Sequence, residues 1–340
     1  MAPSNKPPVA DGTILAVLRR AGLLEFGPDP SMAPLTGGVS SDIWRVELPG
    51  GPVAVKRALP KLKVAQDWRA PVERNAYEAA WMQEARRFAP RAVPRLLHQD
   101  AILGALVMAY LEPRDHPLWK RLLMDGQILA YHAGAVGATL AAIHAGTARR
   151  PEVAQRFATD KIFHEIRLAP YLLATAEVHP DLGRQLRSLV RTTAANRIAL
   201  VHGDISPKNI LIGPRGPVLL DAECAWYGDP AFDLAFCLNH LLLKCLWRRR
   251  DAAAYLAAFD ALAEAYLAGA IWERRDRLEE RAAALLPGLL LARVDGKSPV
   301  EYLPGQDDRE KVRKVGRHFL QHVPDRLAAI RAAWAEETAV

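Results

Sequence analysis

The chain has 340 residues, half of them apolar and 24% charged, a balance that excludes a fibrous or disordered protein and suits a packed chain large enough for two lobes. Its net charge of +7 attracts phosphate-bearing ligands or acidic surfaces without choosing among them. The arginines of Trp247-Arg248-Arg249-Arg250 and of the mixed-sign run 273–281 read as solvated helix faces, so no nucleic-acid partner is expected.

In chain order, residues 1–8 are polar and proline-containing rather than basic and then apolar, so no secretory signal is read. Residues 13–24 have helical spacing, with Ile14, Val17, Leu18 and Ala21 on one side, and Pro28, Pro30 and Pro34 end that pattern. Leu35-Thr36-Gly37-Gly38-Val39-Ser40-Ser41 then leads through Ile43, Trp44 and Val46 to the turn Pro49-Gly50-Gly51-Pro52 and the strand Val53-Ala54-Val55-Lys56. This is a hairpin with a glycine-containing first turn. Residues 71–88 form a helix whose Trp81, Ala85 and Phe88 share a face with Glu78. An acid on an apolar face needs a partner. Two further strands lie over 93–97 and 105–111, and the lobe boundary falls near Glu112-Pro113. The fold class expected is therefore α+β: a small antiparallel-sheet lobe over residues 1–112 and a mainly helical lobe over 113–340.

Helices are expected over 128–145, 154–169 and 181–196, and for most of the chain beyond Pro230. Between them, Ile210-Leu211-Ile212 and Val218-Leu219-Leu220 flank Gly213-Pro214-Arg215-Gly216 as in a hairpin. The apolar run 234–246 is interrupted by Asn239, His240 and Lys244, which argues against a membrane span. Cys224, Cys237 and Cys245 contain no CxxC pair and read as small buried hydrophobes. The compartment expected is the cytoplasm, and monomer and homodimer both stay open.

The segment that carries chemistry is Val201-His202-Gly203-Asp204-Ile205-Ser206-Pro207-Lys208-Asn209-Ile210-Leu211, followed by Leu219-Leu220-Asp221-Ala222-Glu223. Phosphoryl transfer uses such a set: one carboxylate at the nucleophilic hydroxyl, then an amide oxygen and a second carboxylate as hard ligands for magnesium. A lone Asp-x4-Asn is ordinarily just a turn. The ordered set of HGD, Asn, hairpin, second Asp and Gly228-Asp229-Pro230-Ala231-Phe232-Asp233 is more than that.

These segments resemble the catalytic and metal loops of the aminoglycoside phosphotransferase and choline kinase superfamily, whose fold is protein-kinase-like. The resemblance covers about residues 35–241. It implies a small-molecule kinase that uses ATP and Mg2+, with Asp204 at the acceptor hydroxyl and Asn209 and Asp221 as metal ligands. It further implies that His202 packs behind the loop and that Asp233 braces it. Lys56 falls where this fold neutralises the α- and β-phosphates, with Glu78 chosen as its ion-pair partner and Glu73 and Glu84 left open. Gly37, Gly38, Ser40 and Ser41 stand where the loop over the phosphates would be, and Ala109, Tyr110 and Leu111 where adenine would meet backbone.

The acceptor is a small molecule that the motifs do not specify. A polycationic aminoglycoside suits the arginine-rich helical tail poorly. An amino alcohol such as choline would call for aromatic faces, with Trp119, Trp226 and Tyr227 as candidates. A sugar-like acceptor, as in the related methylthioribose kinases, fits the basic character better. Arg293 and Lys297 are candidates for a carboxylate or phosphate on it, or else plain surface charges. The competing non-enzyme reading, a nucleotide-binding regulator, is disfavoured because Lys56, Asp204, Asn209 and Asp221 are all present.

Overall fold

Alternation along one strand sets the layering of the first hundred residues. The computed structural model describes residues 12–25, 27–35, 41–59, 73–303 and 305–338. Five antiparallel strands, β1 (Met32–Leu35), β2 (Ser41–Val46), β3 (Val53–Ala58), β4 (Leu96–Asp100) and β5 (Ala105–Ala109), lie in the order β1-β2-β3-β5-β4. On β3, Val53 and Val55 point to one face, where they meet Trp44, Val46 and Val107 beneath Ile14, Val17 and Leu18 of α1 (Gly12–Arg20). Ala54 and Lys56 point to the other, as the two-residue period requires. That second face meets α2 (Arg74–Phe88), whose Ala79, Trp81, Met82 and Ala85 are buried. Pro34 does not end the pattern as the sequence reading supposed. It lies on the edge strand β1, where a missing N–H costs no ladder bond.

The rest is mainly helical. In chain order follow α3 (Trp119–Met124), α4 (Ala130–Thr147), α5 (Pro151–Arg156), α6 (Asp160–Phe163) and a π-helical stretch, His164–Leu173, that runs into α7 (Ala174–Val178) and then α8 (Gly183–Ala195). After the catalytic segment come α9 (Ala231–Trp247), α10 (Ala252–Ala268), α11 (Arg275–Asp295), α12 (Gln306–Gln321) and α13 (Leu327–Thr338). The single helix expected over 154–169 is thus broken. Thr159 turns the chain and bonds through its hydroxyl to the Ala225 carbonyl at 2.5 Å, and Pro170 withholds a donor inside the π-helical turns. Every residue of α9 but Trp247 is buried, so this helix is the spine of the core. Beside it α4 and α10 pack so closely that a Cβ on Gly137 would lie 2.3 Å from the Leu262 carbonyl oxygen. No described helix is long and apolar enough to cross a membrane.

Two short strand pairings carry the chemistry-bearing segment. β6 (Ala199–Val201) pairs antiparallel with β9 (Trp226–Gly228). β7 (Ile210–Gly213) and β8 (Gly216–Leu219) form the expected hairpin, in register from Ile210 opposite Leu219 to Gly213 opposite Gly216. The three cysteines are free and buried.

Candidate active site

The chain leaves β6 at His202-Gly203-Asp204, and a buried carboxylate fixes that exit. Asp233, in the first turn of α9 and fully buried, accepts the His202 N–H at 2.7 Å and the Gly203 N–H at 2.8 Å. Its Oδ2 also lies 3.2 Å from Nε2 of His144, whose Nδ1 is 2.7 Å from the Tyr266 hydroxyl. Two chain donors and one ring nitrogen thus surround a single carboxylate. Gly203 has φ +81°, and a Cβ there would lie 2.9 Å from both Cβ and the carbonyl oxygen of Cys224, so only glycine fits.

His202 is itself buried and sits edge-on to Trp81 at a centroid distance of 4.8 Å. Its Nδ1 accepts the Asp204 N–H at 3.2 Å while Nε2 donates to the Leu220 carbonyl at 3.1 Å, which makes it a neutral Nε2–H tautomer. Burial holds its pKa below the ordinary histidine value despite Asp233 and Asp204 nearby. The ring thereby links the catalytic loop to the strand end that carries Asp221.

Asp204 is buried, and its Oδ2 lies 2.9 Å from Nη2 of Arg167 and 3.2 Å from Nζ of Lys208. Asp204, ahead of burial, holds the Lys208 ammonium above the usual lysine range. Arg167 also donates through Nε to the Gly203 carbonyl, so one guanidinium orients both the carboxylate and the chain that bears it. Sequence reading missed Arg167. It sits on the π-helical stretch with no motif around it, and its only signal was a charge on an otherwise apolar face.

Asn209 bonds through Nδ2 to the Asp204 carbonyl at 3.0 Å, and its own carbonyl accepts the Leu220 N–H at 2.8 Å. The β7–β8 hairpin therefore brings Asn209 and Asp221 to the same open end. Asp221 adopts φ +68°, a left-handed turn that directs its carboxylate away from the strand line and toward β3. There it pairs with Lys56, whose Nζ also lies 2.6 Å from Glu78 Oε2 on α2. Of the three acids left open for Lys56, the structure selects Glu78; Glu84 pairs with Arg87 at 2.9 Å.

Two carboxylates thus share one buried ammonium. Burial pushes the Glu78 carboxyl up to about 7 against the pull of Lys56. At Asp221 burial acts in the same sense, but Lys56 and then Lys208 outweigh it and hold the carboxyl well below the usual range. Glu223 lies 2.9 Å from the buried Arg74.

Of the other sequence candidates, Gly37, Gly38 and Ser40 lie outside the described residues. Ser41 opens β2, buried, with an Oγ that has no hydrogen-bond partner. At the end of β5 the Ala109 N–H is taken by the Arg95 carbonyl at 2.9 Å and the Tyr110 N–H by the Pro52 carbonyl at 3.3 Å. Among the described residues the Leu111 N–H meets no backbone carbonyl, which leaves it as the free donor of that trio. Trp119, Trp226 and Tyr227 are core rather than ligand-facing. All three are buried, with Trp226 stacked on Phe163 at 4.4 Å and Tyr227 donating to the Ile198 carbonyl at 2.8 Å. Lys297 is exposed and Arg293 buried, so the two do not act together. Nor are the arginine runs simply solvated: Arg281, 17% exposed, clamps Asp229 at 3.0 Å and Glu273 at 2.7 Å.

The donor set fits magnesium bound with nucleotide. Mg2+ takes one or two hard oxygen ligands from protein and the remainder from phosphates and water. Asn209 and Asp221 supply that number, and among the described residues no cluster of three or more His, Cys, Asp or Glu forms a cage for a metal alone. Two buried hydroxyls without partners, Ser41 Oγ at the start of β2 and Ser206 Oγ in the catalytic loop, leave donors for further oxygens.

Residues 31–276 match the phosphotransferase enzyme family, and the chain belongs to that family. Among characterised relatives, the methylthioribose kinase of Yersinia enterocolitica is 31% identical over 234 residues, covering 59% of this chain and 58% of that protein. Methylthioribose kinase 1 of rice (Oryza sativa subsp. japonica) is 26% identical over 272 residues, 69% of this chain and 62% of the relative. The chain thus spans about three-fifths of the length of these relatives. The fold is that of a choline kinase from Cryptosporidium parvum (TM-score 0.56, 11% identity, 91% of this chain and 94% of that one). It is also that of a choline/ethanolamine kinase family protein from Mesorhizobium loti (TM-score 0.53, 17% identity, 96% and 97%).

Proposed function

We propose that this protein transfers the γ-phosphoryl group of ATP to a hydroxyl of a small, sugar-like molecule. The observation that carries the reading is the convergence of Lys56, Glu78 and Asp221 with Asn209 and Asp204, each held by a named partner. The division of labour would follow the sequence, with residues 1–112 holding nucleotide and 113–340 supplying the catalytic loop and acceptor site. Asn209 and Asp221 would hold Mg2+, which when bound screens the charge of the phosphates. Lys56, kept charged by two carboxylates, would meet the α- and β-phosphates, and the Leu111 N–H would meet adenine. Asp204 would orient the acceptor hydroxyl and take its proton late in the transfer. A loose transition state demands little of that base. Positioning and charge stabilisation account for the chemistry, with no covalent enzyme intermediate. Dependence on ATP fits a cytoplasmic setting.

Methylthioribose is the first acceptor to try, because two of the relatives carry that name. The test is magnesium-dependent ADP release across methylthioribose, other sugars, amino alcohols, hydroxy amino acids and aminoglycosides. Asp204→Asn should lower kcat by ~10³-fold or more while ATP binding, followed by calorimetry, survives. Turnover retained in that variant would refute the assignment of Asp204.

A further inference from the structure

Beside the catalytic loop lies a second group of cations that the transfer chemistry does not use. Lys244 on α9 is 2% exposed, and among the described residues its ammonium has no hydrogen-bond acceptor. It lies over the Tyr302 ring, 4.0 Å from the centroid. Arg293 on α11 is 8% exposed; Nη1 serves the Ser298 carbonyl and the Tyr171 hydroxyl, while Nε is buried without a partner. Buried lysine and arginine side chains are ordinarily paired with acids. Here Glu301, which acts on Lys244, is already committed to Lys120.

The cluster adjoins the acceptor position. Arg293 lies over the Tyr171 ring at 5.6 Å, and Arg167, the partner of Asp204, lies over the same ring at 5.9 Å. Phe236 packs against Tyr171 at 5.5 Å and against His240 at 5.5 Å, and His240 Nδ1 is 3.5 Å from the hydroxyl of Tyr302, over whose ring Lys244 sits. Lys208, 3.2 Å from Asp204, also acts electrostatically on His240. A lysine could lose its proton to relieve such a site, but a guanidinium cannot. Two buried cations beside a hydroxyl-activating carboxylate make a receptor for negative charge on the same molecule.

Building on the kinase reading, we propose that the acceptor carries an anionic group, a carboxylate or a phosphate, and that Lys244 and Arg293 bind it. Methylthioribose, which has no such group, becomes the neutral reference against which acidic hydroxyl compounds are compared.

Two measurements separate this proposal from the reading it rests on. With the full chain saturated by Mg2+ and a non-hydrolysable ATP analogue, inorganic phosphate and malonate are titrated calorimetrically. One of them should bind at a single site, and Lys244→Met or Arg293→Gln should each weaken it ~10-fold or more. The variants lose different contacts, so one serves where the other folds poorly. Paired acceptors are then compared by ADP release: ribose with ribose 5-phosphate, and glyceramide with glycerate. The anionic member of a pair should have a kcat/KM ~10-fold or more above the neutral one, and Lys244→Met should abolish that preference. The phosphate pair winning identifies a phosphate-bearing acceptor; the carboxylate pair winning identifies a hydroxy acid. Anion binding that depends on Lys244 without turnover of any acceptor would remove the kinase reading and leave the subsite. Absence of anion binding, equal binding to wild type and both variants, or preference for the neutral acceptors would overturn the subsite.

Discussion

At the scale of single residues, the buried cations set the largest energies. Burial, then Lys120 on α3, pushes the Lys244 ammonium down to about 7. Arg293 on α11 acts in the same sense, Glu301 and Cys237 oppose it, and His240 faces it from one turn earlier on α9. An unfolded lysine titrates near 10.4, so between about 7 and 10 the unfolded chain holds the extra proton and stability rises with pH. Below about 7 the cost of the buried charge is complete. Lys244→Met should therefore stabilise the protein at pH 6, by on the order of 4 kcal/mol, with the gain shrinking toward pH 10; denaturant melts across that range measure it. Arg167 makes the opposite case, because it answers an acid. Arg167→Gln removes the strongest partner of a buried carboxylate and should cost ~3 kcal/mol of stability. It should also lower kcat by ~10- to 100-fold with little change in the KM for ATP, which steady-state kinetics would separate from unfolding.

At the scale of elements, the catalytic loop is a strand end fastened by a helix start. Asp233 does the fastening and Gly203 makes the bend possible. Gly203→Ala combines a left-handed alanine with a Cβ inside contact distance of Cys224. It should lower stability by ~2–3 kcal/mol and reduce kcat more than the KM for ATP, read from melts and kinetics on one preparation. Much of this segment was legible beforehand, because HGD, Asn209, the hairpin and Asp221 are contiguous and the local chain sets their spacing. Glu78 was legible through its place on an apolar face. Arg167, His144 and Tyr266 were not, since they reach the loop, its Asp233 brace and His144 respectively from helices tens of residues away, and only packing decides which buried polar groups meet. The strand expected over 93–97 forms instead over Leu96–Asp100, with a register shift between Leu96 and His98, because Pro94 cannot donate to a ladder.

At the scale of the molecule, beside the Arg74–Glu223 pair that crosses from α2, the ammonium of Lys56 joins the sheet to the helical part. It joins β3 to α2 through Glu78 and to the end of the β7–β8 hairpin through Asp221. Lys56→Met alone leaves the buried Glu78 and the part-buried Asp221 without their shared cation and should cost ~3 kcal/mol. With Glu78→Gln added, much of that loss should return, so a double-mutant cycle should show coupling of ~1 kcal/mol or more. Independent, additive losses would mean that Glu78 and Lys56 do not act as a pair. The fold class was readable from alternating then helical periodicity. The role of α9 was not: Asn239, His240 and Lys244 look like interruptions in sequence, yet all three are buried.

Asn209 and Asp221 stand at the two legs of one hairpin, and that has a practical consequence. The ladder works as a gauge block: its gap is set by backbone spacing. Its tip, Pro214-Arg215, lies at the far end from both side chains. Residues grafted at the tip, such as a short luminescent tag, would leave the gauge unaltered, whereas deleting one residue from either leg would turn one jaw to the wrong side.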